Sequence, residues 1–185
     1  MTTIPRILTI QDMSSIGRCS LTVMLPIISA LQCQAVPLAT AVLSNHLEYP
    51  YFEIVDLSDH LTAFMDCWEK NNIDFNAIVS GFLASPEQIY LVEEAINRFG
   101  KDKMVIVDPA MADDGRLYSI YTPEMVKAMR HLISRAYIVK PNYTEACFLL
   151  DKPYSTNPIS NDELQDMCRK LYQLGPELVI MTRVP

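Results

Sequence analysis

Glycine is scarce in this chain of 185 residues, which has only Gly17, Gly81, Gly100, Gly115 and Gly175. No two of them are close enough to form G-x-G-x-x-G or G-x-x-x-x-G-K-S/T. That excludes a dinucleotide-binding fingerprint and a Walker A loop, so any nucleotide must be held by other means. The cysteines, Cys19, Cys33, Cys67, Cys147 and Cys168, are odd in number and form no C-x-x-C pair. This excludes a zinc finger and a disulfide scaffold, fits a reducing compartment, and leaves them as small buried hydrophobes. Basic residues are outnumbered, with Lys+Arg at 15 and Asp+Glu at 22, a net charge of -7. With no basic run, the net footprint of a nucleic-acid binder is missing. Long apolar runs are also missing. The longest, Leu21–Leu31, is about half the length that spans a bilayer, and Pro26 interrupts it. After Ile7-Leu8-Thr9-Ile10 the chain turns polar at Gln11-Asp12, unlike a secretory leader. These absences imply a soluble, cytoplasmic protein.

What is present is globular. Hydrophobic residues make up 50% and charged residues 20%. The length fits one domain over 1–185. Arg6–Ile10, Ala35–Leu43, Ala77–Ser80, Met104–Val107, Tyr137–Val139 and Leu178–Met181 read as strands. Several are continuous apolar runs, the pattern of strands buried on both faces of a parallel sheet. Helices alternate with them. Ser85-Pro86 and Thr122-Pro123 pair a cap residue with a proline at the first helical position. Gln88 stands where a capping box wants it, Ser160 and Glu163 form a second box, and Gly100 and Gly175-Pro176 are stops. Ser58 is expected to cap a helix with Leu61, Phe64, Met65 and Trp68 on its apolar face. Ile16–Leu31 reads as a buried helix kinked or broken at Pro26. Strict alternation predicts an α/β fold: a mostly parallel central sheet, right-handed crossovers and helices on both faces. Residues 44–57 are the main irregular stretch, a candidate flap or lid. The last strand runs into Thr182-Arg183-Val184-Pro185 with no covering helix, so a C-terminal part of the fold is expected to be missing.

Ligands of open α/β sheets bind beyond the carboxyl ends of the strands. In order, those ends carry Gln11-Asp12-Met13-Ser14-Ser15, Ser44-Asn45-His46, Ser80-Gly81-Phe82, Asp108-Pro109 with Asp113-Asp114-Gly115, Lys140-Pro141-Asn142-Tyr143-Thr144-Glu145, and Thr182. Carboxylates, hydroxyls, amides and an imidazole should converge on one rim. Such a rim suits a polar small molecule and a hard cation such as Mg²⁺. Each motif also has a structural reading. Asn142-x-x-Glu145 is a capping pattern, Asp108-Pro109 a strand-exit turn, Asp113-Asp114-Gly115 an ordinary turn, and His46 a loop histidine. His60 and His131 read as solvated helix residues. Placement on one rim favours function over any motif alone.

In order and approximate spacing, these signatures resemble the pyridoxal (pyridoxine, pyridoxamine) kinases of the ribokinase-like superfamily. The matching residues are Ile10-Gln11 with Gly17, Ser44-Asn45-His46 with Tyr49, Ser80-Gly81-Phe82, Asp108-Pro109 with Asp113, Pro141-Asn142-x-x-Glu145, and Thr182. The resemblance implies transfer of the ATP γ-phosphoryl group to the 5′-hydroxymethyl of a B6 vitamer. It places Asp12, Ser44, His46 and Phe82 at the substrate, Asp113, Asn142 and Thr182 at ATP, and Asp108 and Glu145 at Mg²⁺. It also implies a homodimer and leaves open a K⁺ requirement. The family's Gly-x-Gly-Asp segment, with its catalytic Asp and anion hole, is expected beyond Pro185, so these 185 residues alone are expected not to turn over. Asp12 stands where the family usually has Ser, and Leu47 follows His46 where it often has Thr. These departures keep a hydroxymethylpyrimidine kinase as an alternative. A non-catalytic α/β ligand-binding protein is a further one.

Overall fold

The apolar runs Ala77–Ser80 and Met104–Val107 form strands with those bounds, flanked by polar turns that stop them. A computed structural model describes residues 4–185. Its elements run β1 (Arg6–Ile16), α1 (Leu21–Ala30), β2 (Gln34–Asn45), β3 (Ile54–Asp56), α2 (Ser58–Lys70), β4 (Ala77–Ser80), α3 (Pro86–Phe99) and β5 (Met104–Val107). Then follow β6 (Ala112–Asp113), β7 (Arg116–Leu117), α4 (Pro123–Ile133), β8 (Ile138–Val139), α5 (Tyr143–Leu149), α6 (Asn161–Gln173) and β9 (Leu178–Val179). Seven strands make one sheet in the order β3-β2-β1-β4-β5-β8-β9. All neighbours are parallel except β3, which pairs antiparallel with β2 at the edge. β6 and β7 form a separate two-stranded hairpin.

The main core lies between the sheet and α2–α6. Leu8, Ile10, Ile78, Val105, Val107 and Val139 project from the strands to meet Met65, Ile89, Val92, Met129 and Leu171. Trp68, Phe75 and Phe99 pack edge to face within it, with ring centroids 5.2–6.2 Å apart. α1 packs on β1 and β2, and its buried Leu21 and Ile28 stand apart from this cluster.

Several expectations are corrected. β1 does not end at Ile10. It continues to Ile16 because β2 continues beside it, pairing through Ile16↔Asn45. The helix expected from Ile16 therefore starts at Leu21, and it runs unbroken through Pro26. Pro26 is its sixth residue, so the ring removes one bond, to the Thr22 carbonyl, near the start. α1 is not buried all round, since Ile27 within it and Leu31 just past its end are exposed. Residues 44–57 are not irregular throughout: Ser44 and Asn45 end β2, and Ile54–Asp56 form β3. β9 stops two residues early, and Thr182 instead forms an isolated bridge to Asn142. Phe64 is exposed, and among the cysteines only Cys147 is buried.

Capping differs in detail. Ser85, Thr122 and Ser160 accept from the backbone N–H three residues on, as expected. Ser58 is not a cap but the first residue of α2, and Asp56 Oδ1 accepts from its N–H at 2.8 Å. Glu163 turns to Lys152 instead of closing a box. Gln88 also leaves its box open and ties elements together. Its Oε1 accepts from the Ala84 N–H at 2.8 Å, and its Nε2 donates to the Thr40 carbonyl at 3.2 Å. A buried amide with both ends used is costly to lose. Gln88→Leu should destabilise the protein by about 1–3 kcal/mol, because the Ala84 N–H would lose its partner and the Thr40 carbonyl would keep only the Leu57 N–H. Urea unfolding measures this, and an unchanged midpoint would show the bridge to be neutral.

Candidate active site

Parallel pairing puts every strand's carboxyl end on one edge of the sheet. β1 and β4 are neighbours, and the chain runs on from β1 toward β2 but from β4 toward β5, in opposite directions along the sheet, which opens a crevice between them. Pairing of β1 with β4 stops at Ile10↔Ser80, whereas pairing with β2 runs on. The overhanging β1–β2 ribbon forms one wall of a cavity of about 540 Å³, lined by residues that include Asp12, Ser14, His46, Phe82, Asp108 and Tyr118.

Asp12 sits at a β-bulge. Gln11 pairs with Ala39 but Met13 with Val42, so β2 spends an extra residue opposite Asp12. Bulges re-aim side chains. Here Asp12 and Ser14 share the cavity wall while Met13 faces out. The Ser14 hydroxyl donates to Asp12 Oδ2 at 3.0 Å, and Oδ1 has no partner. Burial raises the Asp12 pKa above the ordinary carboxylate range, against the Ser20 and Ser14 hydroxyls. Ser20, also in the wall, has φ 49°, a strained conformation for a residue with a Cβ.

His46 is fixed by its backbone and by a glycine. Its N–H donates to the Ile16 carbonyl at 3.1 Å. Gly17 has φ +125°, and a Cβ there would lie 2.7 Å from His46 Cδ2. Only glycine lets the chain pass so close to the ring. Tyr49 packs on the imidazole at 4.8 Å between centroids, and Glu48 Oε2 lies 3.8 Å from Nδ1. Phe82 is buried, 6.1 Å from the Tyr118 ring and 6.2 Å from Tyr121. Burial, with the charges of Glu145, Asp113 and Asp108, pushes the Tyr118 hydroxyl up to about 12. Asp108 is half-buried, and its Oδ2 meets Lys140 Nζ at 2.8 Å. That pair is solvent-screened and adds little stability.

A second group surrounds the N-terminus of α5. Asn142 and Glu145 close a full capping box: Asn142 Oδ1 accepts from the Glu145 N–H at 2.8 Å and Glu145 Oε2 from the Asn142 N–H at 2.7 Å. Glu145 Oε1 also accepts from the Met111 N–H at 3.3 Å, and Asn142 Nδ2 donates to the Ala112 carbonyl at 2.8 Å. Thr182 joins through its carbonyl, which accepts from the Tyr143 N–H at 2.9 Å. Asp113 pairs with Arg183. Burial pushes the Glu145 carboxyl up to about 8. The Asp108 charge adds to this, and the Asn142 and Met111 N–H groups oppose it.

The expected residues thus fall into two clusters. Asp12, His46, Phe82 and Asp108 line one cavity, while Asp113, Asn142, Glu145 and Thr182 form the α5 cluster outside its walls. Ser44 is in neither. Its hydroxyl donates to Asn45 Oδ1 and accepts from the Glu53 N–H, closing the β2–β3 turn outside the cavity wall. Ser20, Glu48 and Tyr118 are wall residues that sequence reasoning did not single out as site residues. Ser14 stands among the rim residues named after the first strand, two residues beyond Asp12, but nothing in the sequence marks Tyr118. Among the described residues no three His, Cys, Asp or Glu side chains converge on one cation position. Mg²⁺ is commonly held by one or two carboxylates together with substrate phosphates, and Asp108 at the cavity wall fits that use.

The family model for phosphomethylpyrimidine kinase matches residues 25–184, and the chain belongs to that family. It is similar in structure to a candidate phosphomethylpyrimidine kinase of Bacteroides thetaiotaomicron VPI-5482, crystallised with pyridoxal: 43% identity, TM-score 0.95, covering 99% of this chain and 64% of that one. It is also similar to the pyridoxal kinase of Entamoeba histolytica: 26% identity, TM-score 0.87, covering 98% of this chain and 66% of that one. A candidate pyridoxal kinase of Schizosaccharomyces pombe is 27% identical over 148 residues, which are 75% of this chain and 41% of that protein. The chain therefore spans 64% of the Bacteroides chain and 41% of the Schizosaccharomyces pombe protein, less than two thirds of either. The α/β fold with a mostly parallel sheet is the fold of these kinases. No described helix is long and apolar enough to cross a membrane.

The capping box is separable from substrate chemistry. Asn142→Ala should cost about 2 kcal/mol, the upper end for a lost N-cap, because the Ala112 carbonyl also loses its donor. Glu145→Ala should cost a similar amount. The double variant should cost clearly less than the sum, since both remove the same box. Urea unfolding of the three variants checks this, and strict additivity would contradict a shared unit.

Proposed function

We propose that the complete protein transfers the γ-phosphoryl group of ATP to the hydroxymethyl oxygen of a vitamin B6 vitamer. The cavity at the β1–β4 crevice carries this reading, because its lining combines aromatic rings (Phe82, Tyr118), polar groups (Asp12, His46) and the Asp108 carboxylate. The family and the pyridoxal-containing relative support it. The substrate ring would pack against Phe82, with His46 and Asp12 orienting its polar substituents. Asp108 would face the phosphates, with Glu145 and Asn142 shaping that side and Asp113 and Thr182 flanking it. Mg²⁺ held there would neutralise phosphate charge that bare carboxylates would repel. In the transfer, the hydroxymethyl oxygen bonds to the γ-phosphorus, the bond from γ-phosphorus to the bridging β–γ oxygen breaks, and ADP leaves. The hydroxyl proton passes to a base, which we assign to a Gly-x-Gly-Asp segment following this α/β domain. A related kinase crystallised with ADP supports the nucleotide assignment. We further assign the protein to the cytoplasm as a homodimer, with a K⁺ requirement left to assay. Residues 46–53, between β2 and β3, are the remaining candidate lid.

A second reading is a hydroxymethylpyrimidine substrate, favoured by the description of the matching family. Rates on pyridoxal and hydroxymethylpyrimidine with ATP and Mg²⁺ decide between the two. Site roles are tested in the same complete protein. Asp108→Asn should raise KM for Mg²⁺–ATP, and His46→Ala should raise KM for the vitamer, each about ten-fold and with little effect on the other substrate. Equal small effects from both would overturn the site map. Vitamer binding without turnover would leave a ligand-binding protein.

A further inference from the structure

Asp12 is the buried charge of the cavity that lacks compensation. Its residue is 2% exposed, Oδ1 has no hydrogen-bond partner, and what eases the carboxyl is the neutral hydroxyls of Ser14, on Oδ2, and Ser20, neither of which brings a charge. None of the ion pairs among the described residues includes it. The other carboxylates of the cavity differ. Asp108 is neutralised by Lys140, and Glu48 is exposed beside His46. Arg18 also lines the cavity, but it is exposed and forms no ion pair with Asp12. A buried carboxylate without a cation is costly, and a charged nitrogen donor is its strongest remedy. A bulge aims this carboxylate into the cavity, so the missing donor is one that a ligand can bring.

We propose that Asp12 sets specificity by accepting a charge-assisted hydrogen bond from an amine on the substrate ring, so that the cavity selects amine-bearing heteroaromatic alcohols over analogues with a hydroxyl or aldehyde there. The proposal rests on the kinase reading of the same cavity. A hydroxyl could donate one hydrogen bond but would bring no charge. An aldehyde oxygen offers no donor and would meet the carboxylate as a second acceptor.

Pyridoxamine and pyridoxine share one ring and differ by an aminomethyl against a hydroxymethyl group, which makes them the probes. In the complete protein, kcat/KM should favour pyridoxamine. Asp12→Asn should lower the pyridoxamine value about ten-fold more than it lowers the pyridoxine value, the worth of one charge-assisted bond. Asp12→Ser should behave alike, which guards against a folding defect peculiar to one substitution. Equal losses on both substrates, or a wild-type preference for pyridoxine, would overturn the proposal while leaving the kinase reading intact. If the wild type turns over neither of these nor hydroxymethylpyrimidine, the kinase reading fails and binding decides: a rise in Tm with pyridoxamine that Asp12→Asn abolishes supports the role of Asp12. A rise that survives the substitution, or no rise in the wild type, refutes it.

Discussion

The unequal reach of two strand pairings shapes this molecule. β1 pairs with β4 only as far as Ile10↔Ser80, but with β2 as far as Ile16↔Asn45. A parallel sheet already brings strand ends to one edge, and the overhang turns that edge into a walled cavity. Without it, Asp12 and Ser14 would lie in a loop with no fixed direction. With it, they are strand residues, one at a bulge, and the chain must turn at Gly17 against the His46 ring. Gly81 marks the other side of the crevice. A Cβ there would lie 2.2 Å from Gln11 Oε1, so β4 leaves the sheet with no room for a side chain.

The opposite side of the rim depends on backbone hydrogen bonds more than on charge pairing. The Asn142–Glu145 box takes N–H groups from its own helix and from Met111, and Asn142 returns a bond to Ala112. The exits of β5, β8 and β9 are thereby tied to one short helix. Glu145 is strained electrostatically for this: burial favours its neutral form, and two backbone donors favour the charged one. A cation bound nearby would settle that balance toward the carboxylate, which joins the structural and the functional readings of the same residue.

The sequence made much of the fold legible. Continuous apolar runs such as Ala77–Ser80 and Met104–Val107 can be buried only as inner strands, and Ser85-Pro86 and Thr122-Pro123 begin helices through purely local chemistry. The polar extension of β1 was not legible, because Gln11–Ser15 lack strand propensity and are held extended by β2 alone. Nor was β3, whose three residues pair only at the edge. Of the cavity wall, Asp12, His46, Phe82 and Asp108 could be named because each follows an apolar run in the sequence. Ser44 was named for the same reason but lies in the β2–β3 turn, because a strand-end position does not say which way the side chain turns. Tyr118 reaches the cavity through the β6–β7 hairpin, a tertiary placement that no periodicity encodes.

The central claim is that this crevice holds an aromatic alcohol with its ring against Phe82 and its hydroxymethyl group toward Asp108. The most direct test is a crystal structure of the complete protein with a B6 vitamer bound. The account predicts the ring between Phe82 and His46, a substituent on Asp12 Oδ1, and the hydroxymethyl oxygen directed to the Asp108 side. A vitamer bound outside this cavity, or one with its hydroxymethyl group turned away from Asp108, would contradict it.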